Sequence, residues 1–221
     1  MRGYKNIAEE FQITRLQHSP AGLFGWKHRM GIHLAFHTNP MNNLLHVVMP
    51  PFNTLGVLMC FYPIAVPGIS IGGVEMNGAL VALLGTFLIY ALLDVLAAAL
   101  TLAPVVLLYP LCAWTFELTG HSTVLMVVIG ASIFFAALWM QVGIGHKIFE
   151  EGIGDEDENI GEVYDTFNPL YFTLLPVYSI LDILFHLGYR KKTAAEIRGI
   201  AEELRPLVLE RKKLNPMGKG I

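Results

Sequence analysis

Three histidines near the start of the chain have a spacing that is typical of metal ligands. His33 and His37 are four residues apart, which places both imidazoles on one face of a helix. Asn39-Pro40 is a turn signal, and a turn over 38–42 would fold His46 back beside His37. Imidazole nitrogens bind iron, zinc or copper, and the second nitrogen of each ring needs an orienting partner. The pattern favours a metal site, with histidines that anchor a helix at lipid head groups as the alternative.

A second candidate group lies much later in the chain, at Gly145-His146, with Glu150 one helical turn further on. A histidine and a carboxylate four residues apart share a helical face, and in metal sites the carboxylate either binds the ion or orients the histidine. Taken alone, this pair fits a simple helix end at a membrane surface better. It gains weight as a metal site only if the fold brings it to the side of the membrane that carries the first group.

The elements that position these residues are predicted from a long stretch without basic residues, because the chain contains no lysine or arginine between Arg29 and Lys147. The 221 residues are 54% hydrophobic and 15% charged, whereas about a quarter of the residues are charged in soluble domains. This composition predicts an all-α, polytopic membrane helical bundle. The sequence has no basic patch interleaved with aromatic residues, so nucleic acid is not an expected partner. Cys60 and Cys112 fall in apolar segments and are expected to be buried thiols rather than a disulfide.

Four apolar stretches approach the ~20 residues that a helix needs to cross a bilayer. They are 44–66, 79–100, 102–118 and 123–144. A fifth apolar block, 168–188, contains prolines and an aspartate, which suits a re-entrant or interfacial segment better than a crossing. The sequence therefore predicts about four spans, followed by a C-terminal segment that does not cross.

The orientation follows from the basic residues, which are concentrated in the two terminal regions. Such residues stay in the cytosol, so both termini are predicted to be cytosolic, and four crossings then place His37 and His146 on the same side. Three regions are expected: a cytosolic extension over 1–30 without a removable signal peptide, a membrane catalytic domain over 31–189, and a basic cytosolic tail over 190–221 that binds head groups. The host membrane would be the endoplasmic reticulum in a eukaryote or the inner membrane in a bacterium.

Both histidine groups lie in motifs that resemble those of a known enzyme family. The run His37-x-Asn39-Pro40-x-Asn42-x-x-x-His46 is similar to the amino-terminal signature of the membrane-bound, iron-dependent 2-hydroxy fatty acid dioxygenases of fatty acid α-oxidation. Trp139 followed by Gly145-His146-x-x-Phe149-Glu150 resembles their second signature, and Leu184-Phe185-x-Leu187-Gly188-Tyr189 resembles their last apolar segment. The chain departs from that pattern at Gln141, which precedes the histidine by one residue more than the family's glutamine does.

The resemblance extends over residues 30–190 and implies a reaction in which Fe(II) and O2 convert a 2-hydroxy fatty acid to the acid one carbon shorter, with release of CO2. It implies three iron ligands, His37, His46 and His146. It further implies that Glu150 is a fourth ligand or an orienting acceptor and that Asn42 orients a ligand. His33 lies outside the matching motif and ranks below the other histidines. A lipid substrate, O2 and the membrane are the expected partners, and the oligomeric state is left open.

Two other interpretations remain open. A different membrane lipid enzyme, such as a prenyl or terpene cyclase, would use the carboxylates Asp94 and Glu117, because an ionisable side chain inside an apolar span is a functional candidate. The same side chains could instead cap the end of a span or pair with His121. A non-catalytic small membrane carrier or assembly factor would be expected to show repeat symmetry, and no internal repeat is present in the sequence.

Overall fold

The computed structural model of the protein describes residues 25–71, 73–149 and 169–214. Helices dominate this part of the chain, beside one two-stranded antiparallel sheet, so the predicted all-α class is confirmed. In chain order the elements are α1 (Trp26–Phe36), α2 (Pro40–Val48), α3 (Pro50–Phe61), β1 (Ala65–Ile71), β2 (Val74–Asn77), α4 (Gly78–Ala91), α5 (Val95–Leu108), α6 (Pro110–Leu118), α7 (Thr123–Trp139), a π-helix (Met140–Phe149), α8 (Pro169–His186) and α9 (Lys191–Leu214).

The chain forms two compact units, and the first consists of Met1–Asn43 with Gly145–Ile221. Within its described part, α1 packs on α9 around a small apolar core of Ile32, Ala35, Phe36 and Ala201. The two helices approach closely, because a Cβ on Gly31 would lie only 2.5 Å from Cγ2 of Ile200. Most of the predicted N-terminal extension lies outside the described residues.

The second unit, Leu44–Ile144, is built around the packing of α3 against α7. The backbones of the two helices are in close contact, because a Cβ on Gly56 would lie 2.5 Å from the carbonyl oxygen of Gly130. Asn53 Nδ2 adds a hydrogen bond across the same pair by donating to the carbonyl of Phe134 at 2.9 Å. Cys60 and Cys112 are free thiols, as predicted, but Cys60 is only partly buried, whereas Cys112 is buried as expected.

Within the described residues, three helical stretches are long and apolar enough to span a membrane: Pro40–Phe61, Val95–Leu118 and Thr123–His146. In the first stretch the helix breaks at Met49, and Pro50 begins α3 in the first turn, where no intrahelical donor is needed. Helix α4 has 14 residues, a length of about 21 Å that falls short of the ~30 Å hydrocarbon core. The chain therefore carries the membrane-spanning character that its composition predicts.

The predicted limits of the second and third spans, 79–100 and 102–118, are wrong. The helix break lies at Leu92–Asp94, and the next helical stretch runs from Val95 to Leu118. Asp94 causes the break, because its side chain caps α5 by accepting a hydrogen bond from the backbone N–H of Ala97 at 2.8 Å. Asp94, which the hydropathy of the sequence places inside a span, is therefore the N-terminal cap of the following helix.

Replacing Asp94 with alanine is expected to lower the free energy of unfolding by about 1–2 kcal/mol, because a buried helix N-terminus then loses its side-chain acceptor. The matched control is Ser122→Ala at the start of α7, where the Ser122 hydroxyl accepts from Leu125 N at 3.4 Å and is exposed. Thermal unfolding of both variants in one detergent provides the measurement. Equal destabilisation by the two substitutions would contradict the capping role of Asp94.

Candidate metal centre

His37 is positioned by the abrupt end of α1. Its backbone N–H still donates to the carbonyl of His33 at 2.9 Å, but its own ψ of 82° takes the chain out of the helix. Asn39 then accepts a hydrogen bond from the backbone N–H of Met41 at 2.8 Å, and α2 starts at Pro40. The predicted turn is therefore present, although it lies over 37–39 rather than 38–42.

Helix α2 has its polar side chains inside and its apolar side chains outside. Asn42 is 0% exposed and His46 is 5% exposed. The opposite face presents exposed apolar side chains, namely Met41, Leu44 and Val48. A water-soluble helix has the reverse pattern, whereas a buried polar face behind an apolar surface is expected of a helix that meets lipid and carries a functional site.

The imidazole of His37 contacts the side-chain amide of Asn42. Nδ2 of Asn42 lies 3.0 Å from Nδ1 of His37, both residues are buried, and Oδ1 of Asn42 has no hydrogen-bond partner among the described residues. Exchange of the amide oxygen and nitrogen, which have nearly the same shape, would let Nδ1–H donate to Oδ1 and leave the lone pair of Nε2 for a metal ion, the usual arrangement of a ligating histidine. Asn42 therefore lies within hydrogen-bond distance of the His37 ring, and its orienting role stays a prediction.

His146 lies in the π-helix that continues α7. Such helices are rare and are frequently found at functional sites. The end of this π-helix is tied to the turn after α1, since Asn39 Nδ2 donates to the carbonyl of Phe149 at 2.8 Å. The His37 and His146 rings lie side by side, with centroids 4.9 Å apart.

His37, His46 and His146 form a group that could hold a metal ion. Each offers one ring nitrogen, and these nitrogens all lie within 4.8 Å of one another. Two nitrogens bound to one ion at about 2.1 Å are at most roughly 4.2 Å apart, so small side-chain rotations bring all three into bonding range. His37 and His46 are buried and His146 is partly buried. We call this group the histidine triad.

The other polar candidate residues of the sequence differ in where they lie. His33 is outside the group of potential ligands among the described residues, but its ring packs against that of His37 with centroids 4.1 Å apart. Glu150 lies outside the described residues. Gln141 belongs to the second unit, where its amide donates to Asn53 and to the carbonyl of Ala137.

The two carboxylates that would serve a cyclase have structural partners. Asp94 caps α5, and Glu117 forms an exposed ion pair with His121 at 3.2 Å. Both outcomes match the structural roles that the sequence left open for these residues. The triad, by contrast, is assembled from residues far apart in sequence.

Tyr178 of α8 is a neighbour of His33 that the sequence did not reveal. Its side chain is fully buried, and its ring lies 6.2 Å from that of His33. The Tyr178 hydroxyl has no hydrogen-bond partner among the residues that the structure describes. The spacing of Arg29, His33 and His37 at four-residue intervals would have revealed a polar face on α1, but nothing in the sequence indicates which residue of α8 meets it.

Comparison with protein-family models, with curated proteins and with solved structures finds no match for this chain. The metal centre is therefore inferred from the triad itself.

Replacing Asn42 with alanine is expected to weaken metal binding by about 10–100-fold, the range that outer-shell partners of ligating histidines contribute. Asn43→Ala is the matched control, because the Asn43 amide contacts only the backbone carbonyl of His37, at 3.3 Å. Titration of the metal-free protein with Zn²⁺ gives the two dissociation constants. If both variants bind Zn²⁺ equally well, Asn42 does not orient the ligand ring.

Proposed function

We propose that this protein is an iron-dependent dioxygenase that converts 2-hydroxy fatty acids to the acid one carbon shorter with release of CO2. The observation that carries the proposal is the largely buried histidine triad, because two of its members, His46 and His146, belong to helical stretches that are apolar enough to span a membrane. The motif resemblance over 30–190 agrees with it, and the proposed topology has both termini in the cytosol.

The donor set fits a ferrous ion. Three neutral imidazoles suit iron, zinc or copper, and three protein ligands leave positions open for other ligands. The triad contributes no negative charge, so a divalent ion held there keeps its full charge and favours an anionic chelator. The carboxylate and hydroxyl oxygens of a 2-hydroxy acid form such a chelator.

The proposed reaction balances without a further co-substrate. A 2-hydroxy acid and O2 give the shortened acid, CO2 and water: the bond between C1 and C2 breaks, C2 is oxidised to a carboxyl group, and O2 takes up four electrons. When bound, Fe(II) would supply the open coordination positions and redox chemistry that this oxidation needs. Asn42 and His33 would hold the His37 ring in place.

The lipid tail of such a substrate has an apolar surface to follow. The side chains of Met41, Leu44 and Val48 cover the outer face of the helix that carries His46. An acyl chain in the bilayer could therefore lie along α2 while its polar end reaches the buried face. A membrane site needs no separate tunnel for this purpose.

The test is O2 consumption by the purified protein after anaerobic loading with Fe(II). We expect uptake with 2-hydroxypalmitate, release of CO2 and formation of the shortened acid, and no uptake with palmitate, which lacks the chelating hydroxyl. The His37→Ala, His146→Ala double variant should lose this activity, whereas His186→Ala, at an exposed histidine of α8, should retain it. Turnover by the double variant without bound iron would overturn the proposal, and metal-independent turnover lost in Asp94→Asn would favour a cyclase.

A further inference from the structure

A groove of about 360 Å³ lies in the first unit, where the end of α8 meets the first turns of α9. The last apolar helix ends at His186, and Gly188 then turns the chain with a φ of 88°. The basic run over 190–192 follows at once. This is the order of groups that a lipid presents at a membrane surface, with an apolar region first and a charged one after it.

The floor of the groove is apolar and leaves room for a ligand. Phe185 and Ala194 line it and are almost completely buried. Gly199 lines it as well, and a Cβ there would meet nothing within 4 Å. A glycine inside a helix costs roughly 0.5–1 kcal/mol relative to alanine, and no close packing in the described structure demands a glycine here.

The rim of the groove carries two cations, Lys191 and Arg198. Nη2 of Arg198 is buried and has no hydrogen-bond partner among the described residues, which is a costly arrangement for a charged donor. Two carboxylates are near. Glu202 lines the groove but is exposed. Asp182 lies 3.4 Å from the ring of His186, and burial raises the pKa of Asp182 while the charges of His186 and Arg198 oppose that rise.

We propose that this groove binds one phospholipid of the surrounding bilayer, with the lipid phosphate between Lys191 and Arg198 and the start of an acyl chain over Phe185 and Ala194. A guanidinium matches the geometry of a phosphate through paired N–H donors, and Arg198 lines the groove. Its Nη2 is buried and has no acceptor among the described residues, so the guanidinium would turn toward the groove to meet the phosphate. The inference concerns a site in the first unit that is separate from the triad and does not depend on the proposed reaction.

The test measures lipid binding to the delipidated protein in detergent by native mass spectrometry. We expect one phosphatidylglycerol to bind more tightly than phosphatidylcholine, and Arg198→Gln to weaken phosphatidylglycerol binding by about fivefold or more. Arg205→Gln is the matched control, because Arg205 is exposed on the same helix and does not line the groove. Gly199→Leu keeps every charge, fills the groove and favours the helix, so it should abolish the bound lipid.

Equal weakening by Arg198→Gln and Arg205→Gln would overturn the proposal, because it would mean diffuse attraction to a basic helix. Unchanged binding in Gly199→Leu would overturn it too. Inorganic phosphate that binds as tightly as the lipid would show that the site recognises a free anion. Lys191→Gln gives an independent reading should the Gly199 variant fold poorly, and it should also reduce phosphatidylglycerol binding.

Discussion

Replacing any one histidine of the triad with alanine is expected to abolish stoichiometric metal binding. Two imidazoles hold a divalent ion much more weakly than three, and the loss should exceed the roughly 10–100-fold that removal of an outer-shell partner causes. His37 and His46 are buried, so water cannot simply take the place of the missing ring in a fixed position. The metal content after dialysis against limiting chelator, measured by inductively coupled plasma mass spectrometry, distinguishes the variants.

The controls are other histidines of the same chain. His186→Ala removes an exposed imidazole that lies beside Asp182, and His121→Asn removes one at a position with φ of 61°, which asparagine tolerates. Both should bind metal as the unchanged protein does. Full metal occupancy in His46→Ala with the helical content preserved would show that the triad is not the binding site.

His33→Ala separates ligation from orientation. Its ring contacts that of His37 but does not belong to the triad. We therefore expect a smaller loss of metal affinity for His33→Ala than for His37→Ala, in the range of an outer-shell partner. This ordering matches the lower rank that the sequence motif gives to His33.

The site was more predictable from sequence than the limits of the helices. His37 and His46 could be brought together because Asn39-Pro40 is a strong local turn signal, and the structure has the turn and the proximity. The approach of His146 depends on long-range packing. The sequence predicts this approach only from four crossings, and the described residues contain three helical stretches that could span a membrane.

Two features were beyond the sequence for physical reasons. The α4–α5 boundary was misplaced because hydropathy does not distinguish an aspartate inside a span from one that caps the next helix, and Asp94 caps. The π-helix over Met140–Phe149 was not foreseen, because a π-helix and an α-helix differ by one residue per hydrogen-bonded turn and share the same apolar composition. At the α4–α5 boundary and in the π-helix, hydrogen bonds to the backbone determine the helix structure, and hydropathy does not reveal them.

The second large effect is expected at the contact between α3 and α7. A Cβ at Gly130 would lie 2.5 Å from the carbonyl oxygen of Gly56, and a Cβ at Gly56 would lie 2.5 Å from that of Gly130. Because the obstacle in each case is backbone, rotation of a side chain cannot relieve it and the helices must separate. We expect Gly130→Ala to lower the free energy of unfolding by about 1–3 kcal/mol, the usual cost of overpacking, and larger side chains to cost more.

Gly85→Ala is the matched control, because it should change the free energy of unfolding in the opposite direction. Gly85 lies in α4, and a Cβ there would meet nothing within 4 Å. The substitution should stabilise the protein by up to about 1 kcal/mol through helix propensity alone. Thermal unfolding of Gly130→Ala, Gly56→Ala and Gly85→Ala in one detergent therefore tests the contact, because the first two variants should be less stable than the unchanged protein and the third more stable.

The same contact should affect metal binding. Helix α3 follows the helix that carries His46, and α7 runs on into the π-helix that carries His146, so the two destabilised variants should also bind metal more weakly. Stabilisation by Gly130→Ala would mean that α3 and α7 do not pack backbone to backbone.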